Sequence, residues 1–190
     1  YAMHIWHDSL KETREKYKTL PHGGKYQKKD TTPEELVSIS MYNHGWIINY
    51  AAMLDDMDRA TGTLLDAIDE LGIAENTFVI FTSDNGATHS PIGGTDVDFF
   101  ESCGELRGRK GSMYEGGIRV PAIVRWPGKI KAGSVSDRIT GFEDWMPTLA
   151  ELSGGTADKR SDGISFAATL RGEQQAARPF LYREFAGYGG

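Results

Sequence analysis

Two apolar periodicities alternate along the chain and divide it into elements. Leu54, Met57, Thr61, Leu64, Ile68 and Leu71 are spaced 3, 4, 3, 4 and 3 apart, which puts them in one stripe of an otherwise acidic helix that packs by that face. Gly72 supplies its stop. The run Thr77 to Thr82 is continuously apolar and rich in β-branched and aromatic residues, the pattern of a buried central strand. A second such run, Val120 to Trp126, ends at Pro127 and Gly128, and weaker ones cover Val135 to Thr140 and Phe180 to Phe185. The Lys-rich residues 8–30, broken by Pro21, Gly23 and Gly24, predict a short helix near Leu10 to Tyr17 and then a loop. Thr31 and Thr32 before Pro33, Glu34 and Glu35 carry the capping chemistry of another helix start. A further helix is expected from Asp144 to Leu152, with Pro147 in its first turn and Gly154 and Gly155 beyond it. Helix and strand alternate, so the predicted fold class is α/β, with a largely parallel sheet flanked by helices.

Composition narrows the function classes. With 21 basic against 27 acidic residues and a formal net charge of −6, the chain has no positive field for a polyanion, and nucleic acid is not an expected partner. No apolar stretch approaches the roughly 20 residues of a membrane span. The single cysteine, Cys103, excludes an internal disulfide framework and any Cys-based zinc site from this chain alone. The chain opens Tyr1-Ala2-Met3 without an initiator methionine and reads as a cut through a larger protein.

The strand ending at Thr82 leads straight into Ser83, Asp84, Asn85 and Gly86, the place where open α/β sheets hold ligands. A carboxylate beside an amide oxygen suits a hard divalent cation such as Ca²⁺ or Mg²⁺, and not zinc. The same four residues also make an ordinary turn. Further on, Leu106 to Pro121 packs Arg107, Arg109 and Lys110 among Gly108, Gly111, Gly116 and Gly117. Glycines let a backbone approach a ligand, and the Lys110 ammonium is a compact charge for an oxyanion. A solvated surface or a salt bridge is the plainer reading of Arg107 and Arg109.

These segments resemble the sulfatase family of the alkaline phosphatase superfamily. The likeness lies in a strand ending in Ser83-Asp84-Asn85-Gly86, then Arg107-Gly108-Arg109-Lys110-Gly111 through Glu115-Gly116-Gly117-Ile118-Arg119-Val120-Pro121, then Arg125-Trp126-Pro127-Gly128. Leu54 to Gly72, Met146-Pro147-Thr148, Asp162-Gly163 and Leu170-Arg171-Gly172 extend it over most of the chain. The resemblance implies an alkaline-phosphatase-like domain of which residues 1–190 are the C-terminal part, with the nucleophile-bearing N-terminal half outside the chain. It implies that Asp84 and Asn85 are calcium ligands and that Lys110 contacts the substrate sulfate. His4 is similar to a sulfate-binding histidine of a Pro-His-x-Pro stretch, judged by its distance to Glu15-Lys16-Tyr17. Met3 and Trp6 replace the flanking prolines, and His7 stands as a rival.

By the same resemblance the substrate is a sulfated small molecule or glycan, and the setting is periplasmic, secreted or lysosome-like. A hydrated formylglycine attacks sulfur, the alcohol leaves, and the sulfated intermediate collapses to inorganic sulfate. His89 and Asp96, between the metal pair and the lysine loop, are candidate contacts to sugar hydroxyls or the leaving group, with a merely solvated loop as the plainer reading. Cys103 is followed by Gly104-Glu105-Leu106-Arg107, unlike the family's modification motif, so it is an ordinary residue. This chain alone is therefore expected to be inactive. A phosphatase or phosphonate hydrolase of the same superfamily and a non-catalytic binding module are the alternatives.

Overall fold

The computed structural model describes residues 9–20, 47–88 and 98–185. The helix start expected at Thr31 to Glu35, and His4, His7, His89 and Asp96, lie outside the described residues. The chain divides into two compact units, residues 1–70, 82–122 and 185–190 in the first and 71–81 and 123–184 in the second.

In the first unit, helix α1 (Lys11–Tyr17) packs on helix α2 (Ile47–Glu70). The junction is polar as well as apolar. The Asp56 carboxylate accepts the Leu10 amide at 2.8 Å, at the N-cap of α1, and the Thr13 hydroxyl at 2.6 Å. One residue away, the Asp55 carboxylate accepts the Tyr17 hydroxyl at 3.0 Å and pairs with Lys16. The buried side of α2 is Ile47, Ile48, Asn49, Ala52, Met53 and Ile68. This corrects the stripe expected from the 3,4 spacing. Only Ile68 of that stripe is buried, whereas Leu64 and Leu71 are 57% and 71% exposed. Periodicity locates an apolar face, and burial needs an element to cover it. After α2, Gly72 takes φ of +66°, the left-handed stop anticipated for it.

A one-turn helix at Ala74–Asn76 leads into strand β1 (Val79–Thr82), which pairs with β2 (Ala122–Arg125); all of these residues except Thr82 and Ala122 are counted in the second unit. The Thr82 hydroxyl donates to the Pro121 carbonyl at 2.8 Å, while Phe78 meets Trp126 edge-on at 5.5 Å. The end of one strand thus lies beside the start of the other, and the pair is antiparallel. Among the described residues the largely parallel sheet is represented by this antiparallel pair alone. β1 is half-buried, not buried on both faces. Val135 to Thr140 and Phe180 to Phe185 are not strands. Val135, Ile139 and Phe180 are 92%, 66% and 75% exposed, so among the described residues their β-branched and aromatic character has no neighbouring strand to meet.

Helix α4 (Trp145–Leu152) forms where predicted, with Pro147 in its first turn and Gly154 at φ +79° beyond it; it follows the short helix α3 (Glu115–Ile118) in chain order. Trp145 stacks edge-on between Phe78 at 6.4 Å and Phe166 at 4.8 Å, and Phe166 precedes helix α5 (Ala167–Leu170). Asp144, 1% exposed, accepts the amides of Gly141 and Ile164 at 2.9 and 2.7 Å and pairs with Arg178.

Candidate active site

The loop that leaves β1 and the lysine loop belong to the first unit, and backbone hydrogen bonds join them. The Gly86 amide donates to the Gly117 carbonyl at 2.9 Å, and the Lys110 amide donates to the Ala87 carbonyl at 2.8 Å. A Cβ added to Gly86 would stand 1.9 Å from the Gly116 oxygen, so only glycine permits this approach. The lysine loop is knotted on itself as well. Gly116 donates to the Arg107 carbonyl at 2.7 Å, Gly117 to that of Tyr114 at 2.8 Å, and Ser112 to that of Arg109 at 2.9 Å. The glycines of the lysine loop were expected to approach a ligand; Gly116 and Gly117 instead let that loop close on its own backbone, a Cβ on them standing 2.2 Å from the Gly108 oxygen and 2.3 Å from the Ser112 oxygen, while Gly86 serves the contact between the two loops.

Within this frame the candidate residues keep their polar atoms available. The Asn85 side-chain nitrogen donates to the Gly86 carbonyl at 2.9 Å, so its other terminal atom, an oxygen acceptor, is the one left for a cation. Asp84 is exposed, and among the described residues its carboxylate has no hydrogen-bond or ion-pair partner. Both donors are hard oxygens, which fits Ca²⁺, but two fall far short of the six to eight it takes. No group of three or more His, Cys, Asp or Glu side chains suited to a metal occurs among the described residues. Lys110 is half-buried and its ammonium has no side-chain partner among the described residues.

The neighbouring cations are already engaged. Arg107 lies over the Tyr114 ring at 3.7 Å, a cation–π contact. Arg109 pairs with Asp98, as the salt-bridge reading of that residue expected. Lys110 is thus distinguished from Arg107 and Arg109 by its lack of a partner. The Cys103 sulfur sits 3.9 Å from the Gly116 carbonyl, packed under the lysine loop. The Asp98 pairing was not legible in the sequence, because nothing in the spacing of residues 98 and 109 marks them as partners.

Comparison with known proteins places the chain in a family. The sulfatase family pattern matches residues 3–155. Steryl-sulfatase of Mus musculus is 40% identical over 136 residues, covering 70% of this chain and 22% of the relative. N-acetylgalactosamine-6-sulfatase of Canis lupus familiaris is 38% identical over 138 residues, covering 70% of this chain and 25% of the relative. The solved structure of Ps i-CgsB in complex with k-i-k-neocarrahexaose superposes with a TM-score of 0.66 at 26% identity, over 90% of this chain and 32% of that one. The chain therefore spans only about a quarter of the length of the curated relatives it matches. Its α/β fold is a partial domain of the alkaline-phosphatase-like kind. This chain belongs to the sulfatase family.

Proposed function

We propose that the complete protein carrying this chain is a sulfuric ester hydrolase that releases inorganic sulfate from a sulfated sugar or aryl sulfate. The observation that carries this reading is the 2.8 Å bond from the Lys110 amide to the Ala87 carbonyl. It holds the lysine backbone against the loop that bears Asp84 and Asn85. Asp84 and Asn85 are two of the calcium ligands in this reading, and calcium supplies fixed positive charge toward the sulfuryl oxygens when bound. Lys110 neutralises a sulfate oxygen and fixes the ester in place. His4 hydrogen-bonds the departing oxygen, and His89 and Asp96 contact the group that carries it. The names of an N-acetylgalactosamine-6-sulfatase and of a neocarrahexaose complex among the similar proteins support a sulfated sugar as substrate.

The nucleophile of this reaction, a formylglycine by family resemblance, lies outside residues 1–190, since Cys103 is packed against Gly116 in an unrelated motif. The isolated chain is expected to turn nothing over, because losing one member of a cooperating catalytic set costs about as much as losing all of it. The test is hydrolysis of an aryl sulfate by the complete protein, with and without a calcium chelator, beside the matching phosphate monoester. Sulfate release that chelation abolishes, and that Lys110→Ala lowers by about 10² to 10³ in kcat/KM, is the expected result. Preferential phosphate release would establish the phosphatase reading, and binding of the sulfate ester without turnover would establish a binding module.

A further inference from the structure

We propose that Asp98 and Arg109 are a positioning pair for Lys110, keeping Arg109 off the sulfate so that Lys110 alone meets it; this rests on the sulfate-binding role of Lys110. Arg109 precedes Lys110 in the chain, and three contacts hold that stretch. The Arg109 amide donates to the Ser112 hydroxyl at 3.2 Å, the Lys110 amide donates to the Ala87 carbonyl at 2.8 Å, and the Arg109 guanidinium pairs with Asp98. The first two fix the backbone. The third fixes the side chain and cancels its charge.

Cancelling that charge matters because a guanidinium is the better oxyanion ligand of the two. Its planar fork binds two oxygens at once, whereas an ammonium is a point charge. An unpaired Arg109 would draw the sulfate toward itself and away from the place Lys110 sets for it. Binding would strengthen and reaction would slow, which is misdirected ground-state binding. The Arg109 and Asp98 side chains are 31% and 52% exposed, and so open an ion pair adds little to stability. Removing it should leave folding nearly unchanged while altering where the anion sits.

The experiment measures kcat, KM, inhibition by inorganic sulfate and thermal midpoint in the complete protein. Arg109→Gln removes the guanidinium that would compete, so kcat and sulfate inhibition should both stay within about threefold of the parent. Asp98→Asn should lower kcat about tenfold, since a misplacement of about 1 Å can cost about 10², and its freed guanidinium should tighten sulfate inhibition by about threefold or more. The exchanged pair Asp98→Arg with Arg109→Asp should recover kcat to within about threefold of the parent. Lys110→Ala is the control for the underlying reading: if that variant keeps full activity, the sulfate-binding assignment is what fails. If Lys110→Ala is impaired while Asp98→Asn keeps parental kcat and sulfate inhibition, the positioning pair is refuted. Equal losses in Arg109→Gln and Asp98→Asn that track a fall in thermal midpoint would equally overturn it, leaving a purely structural ion pair.

Discussion

The amide of Gly86 points at the carbonyl of Gly117 from 2.9 Å, and a Cβ on Gly86 would also stand 3.0 Å from the Gly117 Cα. What surrounds that position is backbone, so nothing can swing aside. Gly86→Ala must therefore push apart the loop of Asp84 and Asn85 and the loop of Lys110. The expected cost is about 1–3 kcal/mol of stability, as for other overpacked sites, together with a weaker affinity of the complete protein for calcium. Thermal unfolding and calcium titration calorimetry check the two effects separately. Parental behaviour in both would show that the loops tolerate separation.

Gly62 offers the opposite case. It lies inside α2, and among the described residues nothing stands within 4 Å of a Cβ built on it. Glycine in a helix interior costs about 0.5–1 kcal/mol relative to alanine, so Gly62→Ala should raise stability by about that amount. A chemical denaturation midpoint that falls instead would mean that an element outside the described residues occupies the space.

These two glycines show how far local pattern reaches. Gly72, Pro147 and the loop from Ser83 to Gly86 were legible because a stop, a helix start and a strand end are fixed by a few adjacent residues. The same holds for the plain salt-bridge reading of Arg109, although its partner was not legible. Asp98 with Arg109 and Asp144 with Arg178 are pairings across 11 and 34 positions, which no period of two or 3.6 encodes. The runs at Val135 and Phe180 failed as strands for a related reason. β-propensity describes a side chain's fit to a pleated surface, and a strand exists only where a second one accepts its hydrogen bonds. Likewise the stripe on α2 was correctly apolar, but its coverage by other elements could not be read from its own spacing.

The contact between α1 and α2 should depend on pH at both ends of the scale. The hydrogen bond from Lys16, helped by that from Tyr17, holds the Asp55 carboxyl below its usual range, while Asp55 in turn holds the Lys16 and Tyr17 groups above theirs. A depressed carboxyl contributes stability that is present above its unfolded value, about 3.9, and lost as pH falls through the lower folded value. The raised groups contribute stability that is present below about 10 and lost as pH rises through their folded values. Asp55→Asn should flatten both limbs. Denaturation midpoints of parent and variant across pH give the comparison, and parallel curves would show that these bonds do not couple to folding.

Asp144 and Arg178 supply the sharpest stability prediction, because their effects should be unequal. The Asp144 carboxylate is 1% exposed and receives three donors: the Gly141 amide, the Ile164 amide and the Arg178 guanidinium. Removing it with Asp144→Ala orphans two backbone amides and leaves a cation, 10% exposed, facing the gap. Breaking a buried pair in this way costs about 3–5 kcal/mol. Arg178→Met removes one donor of the three, and the carboxylate keeps both amides, which hydrogen-bond the charged form directly. Its cost should be smaller, about 1.5–3 kcal/mol for one charge-assisted bond. Arg178 also reaches Glu143 at 3.8 Å, and the Arg183 hydrogen bond to that carboxylate is unaffected by the change. Urea midpoints for the two variants in the complete protein should therefore rank parent, Arg178→Met and Asp144→Ala in descending order. Equal losses would mean that the ion pair, and not the anchoring of the two amides, sets the worth of Asp144.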